Sequence, residues 1–211
     1  GTHGRGQAEA EGVLDQCDFI IGTFSKSVGT TGGFCVSDIE GVDTLRMLSR
    51  PYMFTASMTP GAVASARAAF RVIAGRPELR ARLWQNVARL SEGVHALGFA
   101  TGPVASPVVA VTLPGPEAAV RLWNRLIDEG VYTNIAIPPA TPGGLSLLRV
   151  SVSAAHTEGQ IERALDILAS VGAELGLIAP GQRRGGPALR VVGGAPASAP
   201  GAGASGTPRP A

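Results

Sequence analysis

The feature that most constrains the fold is a regular alternation of short apolar runs and amphipathic segments between residues 106 and 172. Three runs have the length and β-branched content of strands: SPVVAVTL (106–113), VYTNIAI (131–137) and SLLRVSVS (146–153). Two helix patterns complete the alternation, at 116–130 and 157–172. The order strand, helix, strand, strand, helix predicts a small α/β layer unit.

The first 105 residues predict three more strands and two long helices. DFIIGTF (18–24) and FCVS (34–37) are short apolar runs typical of buried strands, on either side of a loop rich in Ser, Thr and Gly. Thr59, Pro60 and Gly75 are typical of the two ends of a helix. The other predictions are a loop at 1–12, a modest helix at 38–50, a strand at 52–57 and a second long helix at 76–97.

These elements predict three parts of the chain. Residues 1–75 supply part of a larger α/β layer, and residues 76–179 form a small C-terminal α/β domain. Residues 180–211 are predicted to be a disordered tail, because 21 of these 32 residues are Gly, Pro or Ala and too few large apolar residues remain for a core.

Composition excludes several classes of protein. The formal net charge is +2, but the tail holds four arginines and no acid, which leaves 14 basic against 16 acidic residues elsewhere. A nucleic-acid-binding protein is therefore not expected. No apolar run approaches the ~18 residues of a membrane span, and no signal-peptide pattern opens the sequence, so we expect a cytoplasmic protein. The two cysteines and three histidines are too scattered to predict a metal site.

Lys26 is the candidate for chemistry. It is the single lysine among 18 basic residues. An arginine supplies charge but cannot lose its proton and attack a carbonyl, whereas a lysine amine can. A solvated surface lysine is the structural alternative, but Lys26 lies in the loop SKSVGTTGG (25–33), which directly follows an apolar strand.

The neighbours of Lys26 suggest what its amine meets. Hydroxyl side chains and glycines in TFSKSVGTTGG could hold a phosphate. A Walker-type loop is excluded, since Ser25 and Ile20 stand where that motif requires glycine. An amine that can form an imine, beside a set of phosphate-binding groups, predicts pyridoxal 5'-phosphate as the cofactor.

At these residues the chain resembles the pyridoxal-phosphate-dependent α-oxoamine synthases. GTFSKSVGTTGGFCVS is similar to the segment of that family that carries the cofactor lysine. HGRGQAEAEG (3–12) and RPYMFTASMTP (50–60) resemble the segments before and after it, and VYTNIAIPPATPGGLSLLRVSVSAAHTEGQI (131–161) resembles a later loop and strand. The resemblance covers about residues 1–172 and implies an aspartate aminotransferase-like fold, here the C-terminal part of its large domain plus the small domain.

The resemblance also implies roles for individual residues. Lys26 would hold the cofactor as an imine and later move protons at the substrate Cα, and Thr23 and Ser25 would contact the cofactor phosphate. Thr55, with Ser57, would reach the phosphate of a partner subunit in a homodimer with shared sites. The implied reaction is a decarboxylative Claisen condensation of an amino acid, with serine favoured, and an acyl-CoA.

Arg149 is the implied carboxylate-binding residue, and its chemistry supports that role. It is the only charge in IPPATPGGLSLLRVSVS (137–153). Burying an unpaired guanidinium is costly, and arginine pairs well with carboxylates in a bidentate manner. An arginine that simply reaches water from the end of a strand is the structural alternative.

Two departures from the family pattern qualify the resemblance. The family's Asp-x-Ala-His segment, whose aspartate pairs with the pyridine nitrogen, would precede Gly1. We therefore expect this chain to be the C-terminal part of a longer enzyme, with negligible activity alone. In the branch of the family with the Pro-Pro-Ala-Thr-Pro loop an arginine tends to precede that loop, whereas Ile137 stands here. This change leaves glycine- or alanine-using relatives open.

Two alternatives to an enzyme follow from the same sequence. A non-catalytic partner subunit fits a chain without the Asp-x-Ala-His segment, although the retained Lys26 argues against it. A stand-alone α/β binding module is disfavoured, because the apolar strands of residues 1–75 would remain exposed.

Overall fold

The computed structural model describes residues 1–179 and 190–191. Over these residues the α-helices are α1 (Gln7–Ala10), α2 (Thr44–Leu48), α3 (Arg50–Met53), α4 (Pro60–Gly75), α5 (Pro77–Ala96), α6 (Pro116–Asp128) and α7 (Glu158–Glu174). The strands are β1 (Ile20–Thr23), β2 (Gly33–Val36), β3 (Ala100–Thr101), β4 (Val104–Ala105), β5 (Val108–Leu113), β6 (Asn134–Ala136), β7 (Ser146–Ser151) and β8 (Arg190–Val191). This mixture of helices and strands confirms the predicted α/β class.

Local signals in the sequence set the starts of two long helices. At α4 the Thr59 hydroxyl accepts a hydrogen bond from the Ala62 N–H at 3.3 Å, and Pro60 occupies the first turn. At α7 the Thr157 hydroxyl accepts from the Gln160 N–H, while the Gln160 side chain accepts from the Thr157 N–H at 2.9 Å. Both caps satisfy backbone N–H groups that have no partner within the helix, as predicted from these residues.

A four-stranded antiparallel sheet in the order β3-β5-β7-β6 forms the centre of the C-terminal part. Alternate residues of β5 and β7 are buried, and they pack with helices α5, α6 and α7 into one core. The fully buried side chains of this core include Val87, Val111, Leu122, Leu148 and Leu168. The core cluster lies wholly within residues 83–178, and the domain boundary near residue 75 stays a prediction.

The N-terminal part is built on the antiparallel hairpin of β1 and β2. Three phenylalanine rings join this hairpin to α4: Phe24, Phe34 and Phe70 have ring centroids 5.7 to 5.9 Å apart. Gly22 lies opposite Phe34, and a Cβ on Gly22 would overlap the Phe34 ring. The Phe34 ring therefore packs across β1 at Gly22, the one residue of that strand without a side chain.

The strand predicted at 52–57 is wrong. Tyr52 and Met53 belong to α3, and residues 54–59 form no strand. Pro51 occupies the first turn of α3, where its fixed φ favours a helix, and the Phe54 N–H donates to the Arg50 carbonyl at 3.0 Å. Aromatic and β-branched residues favour a strand only where a neighbouring strand can pair with them.

The segment predicted as one helix at 38–50 contains α2 and the first residue of α3, Arg50, and Ser49, with extended backbone, separates the two helices. The loop predicted at 1–12 contains the single-turn helix α1. Strands β3 and β4 were not predicted, since two residues carry no periodicity.

The predicted burial of the first two strands holds at Phe24 but is wrong for much of the rest. Ile21 is 78% exposed, and Val36 and Cys35 are exposed as well. Both faces of these strands are apolar, and helix α4 covers only one of them.

The predicted tail, 180–211, lies outside the described residues except for Arg190–Val191, which pair in parallel with β4. Among the described helices, none is both long enough and apolar enough to cross a membrane.

Candidate active site

Lys26 lies in the loop between β1 and β2, and backbone hydrogen bonds close this loop at its base. The Phe24 N–H donates to the Gly32 carbonyl at 2.9 Å, and the Thr30 N–H donates to the Phe24 carbonyl at 3.0 Å. The Gly29 N–H donates to the Lys26 carbonyl at 3.0 Å, with Gly29 at a φ of 69°, which glycine adopts without strain. These bonds order the backbone at Lys26, whose side chain is exposed.

Two hydroxyl groups converge beside Lys26. Thr23 Oγ1 and Ser25 Oγ lie 2.9 Å apart, and the Ser25 N–H donates to Thr23 Oγ1 at 3.2 Å. Both residues are exposed, so their hydroxyls can also bind a ligand. Hydroxyl donors suit phosphate oxygens, and a primary amine suits a carbonyl carbon. The donor set present in the loop thus fits a ligand that carries both a phosphate and an aldehyde.

Thr55 and Ser57 lie on the segment between α3 and α4, and both are exposed. The Thr55 hydroxyl donates to the Pro51 carbonyl, so its proton is already used within the chain. Met58 packs over Gly32, where a Cβ would overlap its side chain. This contact places the segment beside the Lys26 loop of the same chain.

Arg149 lies on β7, in the four-stranded sheet, and its side chain is exposed. Within residues 1–179 the Arg149 side chain makes no hydrogen bond or ion pair. No hydrogen bond or ring contact among these residues joins Arg149 to the Lys26 loop. Of the predicted site residues, Thr23 and Ser25 are joined by a hydrogen bond and lie just before Lys26 in the chain. The guanidinium of Arg149 has no partner within residues 1–179.

Glu9 is an organising residue that the sequence analysis missed. Its carboxylate accepts from the N–H groups of His3 at 3.0 Å and Arg5 at 2.9 Å, and it lies 2.6 Å from the His3 ring. The Arg5 N–H, aided by the hydrogen bond to the His3 ring, lowers the pKa of Glu9 to about 2. An acid in the first turn of α1, just after a glycine-rich segment, is the sequence signal for this arrangement.

Comparisons with known proteins identify the family of this chain. The family model "Aminotransferase class I and II" matches residues 3–168. A serine palmitoyltransferase from Caulobacter vibrioides is 54% identical over 183 residues, which are 87% of this chain and 45% of the relative. A 2-amino-3-ketobutyrate coenzyme A ligase from Salmonella typhimurium is 36% identical over 180 residues, 85% of this chain and 45% of the relative.

Among solved structures, a serine palmitoyltransferase variant from S. paucimobilis, with a bound PLP–myriocin aldimine, superimposes with a TM-score of 0.82. It is 45% identical and the match covers 84% of this chain and 45% of that one. The chain thus spans less than half the length of these relatives.

The family model extends over most of the sequence, including both the Lys26 loop and Arg149. The fold is accordingly that of the aspartate aminotransferase-like enzymes. The chain belongs to the class I and II aminotransferase family.

Proposed function

We propose that this chain is the lysine-bearing part of a pyridoxal-phosphate-dependent acyl-CoA:amino-acid C-acyltransferase of the serine palmitoyltransferase kind. Such an enzyme condenses serine with palmitoyl-CoA, releases CoA and CO₂, and yields 3-ketosphinganine for sphingolipid synthesis. The single observation that carries the proposal is the loop in which the only lysine lies beside two hydroxyls 2.9 Å apart. The 54% identity to a serine palmitoyltransferase supports it.

Thr23, Ser25 and Lys26 are the residues proposed to hold the cofactor. The hydroxyls of Thr23 and Ser25 would donate to its phosphate, and the Lys26 amine would bind its aldehyde carbon. When bound, pyridoxal phosphate supplies an electron-withdrawing ring that makes the substrate Cα–H acidic. Lys26 is then the base that takes the Cα proton and the acid that returns one.

Arg149 is proposed to bind the carboxylate of the amino acid. Its guanidinium is exposed and has no partner within residues 1–179. A bidentate pair with a carboxylate would fix the orientation of the substrate relative to Lys26.

Thr55 and Ser57 are proposed to contact the cofactor phosphate of a partner subunit in a homodimer. Exposure of both side chains supports this role. Thr55 would have to turn its hydroxyl away from the Pro51 carbonyl, to which it donates in the isolated chain. Many exposed apolar side chains in the same part of the chain, such as Phe54 at 83% exposure, also favour an interface.

The second candidate is a glycine- or alanine-using C-acyltransferase, an 8-amino-7-oxononanoate or 2-amino-3-ketobutyrate synthase. Two observations favour it. Ile137 stands where an arginine is expected, and it packs against the core. The 2-amino-3-ketobutyrate coenzyme A ligase is 36% identical over nearly the same span. A non-catalytic partner subunit remains the alternative that needs no chemistry from Lys26.

A cytoplasmic location is part of the proposal. Cys17 and Cys35 are both free thiols in the structure. Free thiols suit a reducing compartment, where disulfides are rare.

The proposal is tested by the release of CoA from palmitoyl-CoA with serine, glycine or alanine. The enzyme should be the complete gene product that contains residues 1–211, loaded with pyridoxal phosphate. Serine is expected to give the fastest release, and CO₂ should form in equal amount. Faster release with glycine or alanine would exclude serine as the preferred amino acid, and no release with any of the three would contradict the serine palmitoyltransferase proposal. The second candidate is tested by the same assay with glycine and acetyl-CoA, because two of the four carbons of 2-amino-3-ketobutyrate come from the acyl group.

A further inference from the structure

One face of the four-stranded sheet is not covered by its helices, and Arg149 lies in the middle of it. On β7 the side chains of Ser146, Leu148 and Val150 are buried on the helix side, so Leu147, Arg149 and Ser151 lie on the open side. The open side of β5 likewise carries Val108, Ala110 and Thr112.

The register gives Arg149 two direct neighbours across the sheet. Ala110 of β5 lies on one side and Asn134 of β6 on the other. Directly opposed residues of antiparallel strands have Cβ atoms about 4.5–5.5 Å apart on the same face. Ala110 has no polar group, so Asn134 alone of these two can share a ligand with Arg149.

The side chain of Asn134 is available for such a ligand. It is exposed, and within residues 1–179 neither Asn134 nor Arg149 has a side-chain hydrogen bond. Ile137, three residues further on, packs against the core and offers nothing to the open face. Among the three residues of β6, Asn134 is the only one with a polar side chain.

We infer that Asn134 is a second carboxylate-binding residue, whose amide NH₂ donates to the carboxylate held by Arg149. The inference rests on the proposed function, which supplies that carboxylate. A carboxylate has about four acceptor positions, and a bidentate guanidinium uses two. The amide adds a third hydrogen bond without a second charge. An arginine at position 137 could supply a further hydrogen bond to the carboxylate, but Ile137 stands there and packs against the core. The Asn134 amide would take the place of that bond.

The test compares serine with ethanolamine, which is serine without its carboxylate. Both are titrated against the complete gene product that contains residues 1–211, loaded with pyridoxal phosphate, and the cofactor absorbance reports binding. In Asn134→Ala the dissociation constant for serine should rise about tenfold, the usual effect of one hydrogen bond to a charged group. Ethanolamine should bind as it does to the unsubstituted protein. Asn134→Asp should weaken serine binding further, because two carboxylates would then repel each other.

Thr112→Ala is the matched control, since Thr112 is an exposed polar residue on the same face, opposite Leu147 and not Arg149. It should leave both dissociation constants unchanged. Asn134→Ser keeps a hydrogen-bond donor, so its affinity for serine should fall less than that of Asn134→Ala. It replaces the alanine variant if that variant does not fold. Equal weakening of serine and ethanolamine in the Asn134 variants, or no weakening of either, would overturn the inference.

Arg149→Ala distinguishes this failure from failure of the proposed function. If Arg149→Ala weakens serine selectively and Asn134→Ala does not, only the role of Asn134 is wrong. If Arg149→Ala also leaves serine binding unchanged, the carboxylate lies elsewhere and the proposed site fails together with the inference.

Discussion

Lys26 differs from the other basic residues of this chain in its chemistry and not in its charge. The other 17 are arginines, which stay protonated and cannot act as nucleophiles or bases. The loop around Lys26 is closed by backbone hydrogen bonds and carries hydroxyl donors at Thr23 and Ser25. The chemistry proposed at this position needs an amine that can lose a proton, which explains why the residue is lysine and not arginine.

Substituting Lys26 by arginine should therefore abolish catalysis while preserving the charge. In the complete gene product, CoA release in Lys26→Arg is expected to fall by at least ~10²-fold, the usual contribution of a general acid–base group. Thermal unfolding should be nearly unchanged, because the side chain is exposed. Arg121→Lys is the control and should keep full activity. Arg121 is exposed on α6, and this substitution exchanges the same two residue types in the opposite direction. An active Lys26→Arg variant would rule out the proposed role.

The ordering of residues 1–5 should depend on pH, because it rests on the Glu9 carboxylate. Its carboxylate accepts from the N–H groups of Arg5 and His3, and its pKa in the folded chain is about 2 against an ordinary value of 4.5. A carboxyl group with a lowered folded pKa stabilises the fold above its unfolded pKa, and the stabilisation is lost as pH falls through the folded pKa.

We therefore expect residues 1–5 to loosen between about pH 4.5 and pH 2. A carbon-detected NMR titration of the Glu9 carboxyl measures this directly. Glu9→Gln keeps one acceptor oxygen for the two N–H groups, so the hydrogen-exchange protection of the His3 or the Arg5 amide should be lost already at neutral pH. A Glu9 midpoint at its ordinary value would show that these hydrogen bonds do not form in solution.

At the scale of elements, the hairpin of β1 and β2 depends on the missing side chain of Gly22. The Phe34 ring fills that space and contacts Phe24 and Phe70 at centroid distances of 5.7 and 5.8 Å. Gly22→Ala should force the ring out of this cluster and cost about 1–3 kcal/mol, the usual cost of overpacking.

The unfolding temperature of Gly22→Ala should fall. Its affinity for pyridoxal phosphate should fall as well, because Thr23 and the Lys26 loop continue directly from this strand. Gly61→Ala is the matched control, since a Cβ on Gly61 of α4 meets nothing within 4 Å. If the two variants unfolded at the same temperature, the Phe34 ring would not be held as described.

The elements that sequence reasoning predicted well are those with local signals. Thr59 with Pro60, and Thr157 with Gln160, give the starts of α4 and α7, because a cap requires only neighbours in sequence. The strand predicted at 52–57 failed, since its residues favour a strand only with a pairing partner. Thr23 and Ser25 could be assigned to one site from the sequence for the same local reason, since they are two residues apart, but the hydrogen bond between them is seen only in the structure. The pairing of Asn134 with Arg149 could not be predicted, because register depends on how whole strands align.

At the scale of the whole molecule, the N-terminal and C-terminal parts of the chain differ in how completely their large apolar side chains are buried. Residues 83–178 enclose one continuous core. Most of the exposed large apolar side chains among the described residues belong instead to residues 1–75, with Ile21 at 78% and Phe54 at 83% exposure. A shallow apolar groove also runs along α4, between Phe24, Met58 and Phe70.

The 211-residue chain by itself should therefore bind a hydrophobic dye and associate as its concentration rises. Apolar surface of this extent marks an interaction site or promotes aggregation. Ile21→Thr with Phe54→Ser should reduce both effects, and Val120→Thr, an exposed apolar position on α6, should not. Light scattering and dye fluorescence provide the measurements. A monodisperse monomer without dye binding would mean that the apolar side chains are covered in solution.

The central claim, that Lys26 holds pyridoxal phosphate, is tested most directly by borohydride reduction followed by peptide mass mapping. The complete gene product containing residues 1–211 is mixed with pyridoxal phosphate, reduced and digested. We predict a phosphopyridoxyl group on Lys26, and its loss in Lys26→Arg. Label at the amino terminus alone, or no label, would contradict the account and favour a non-catalytic subunit.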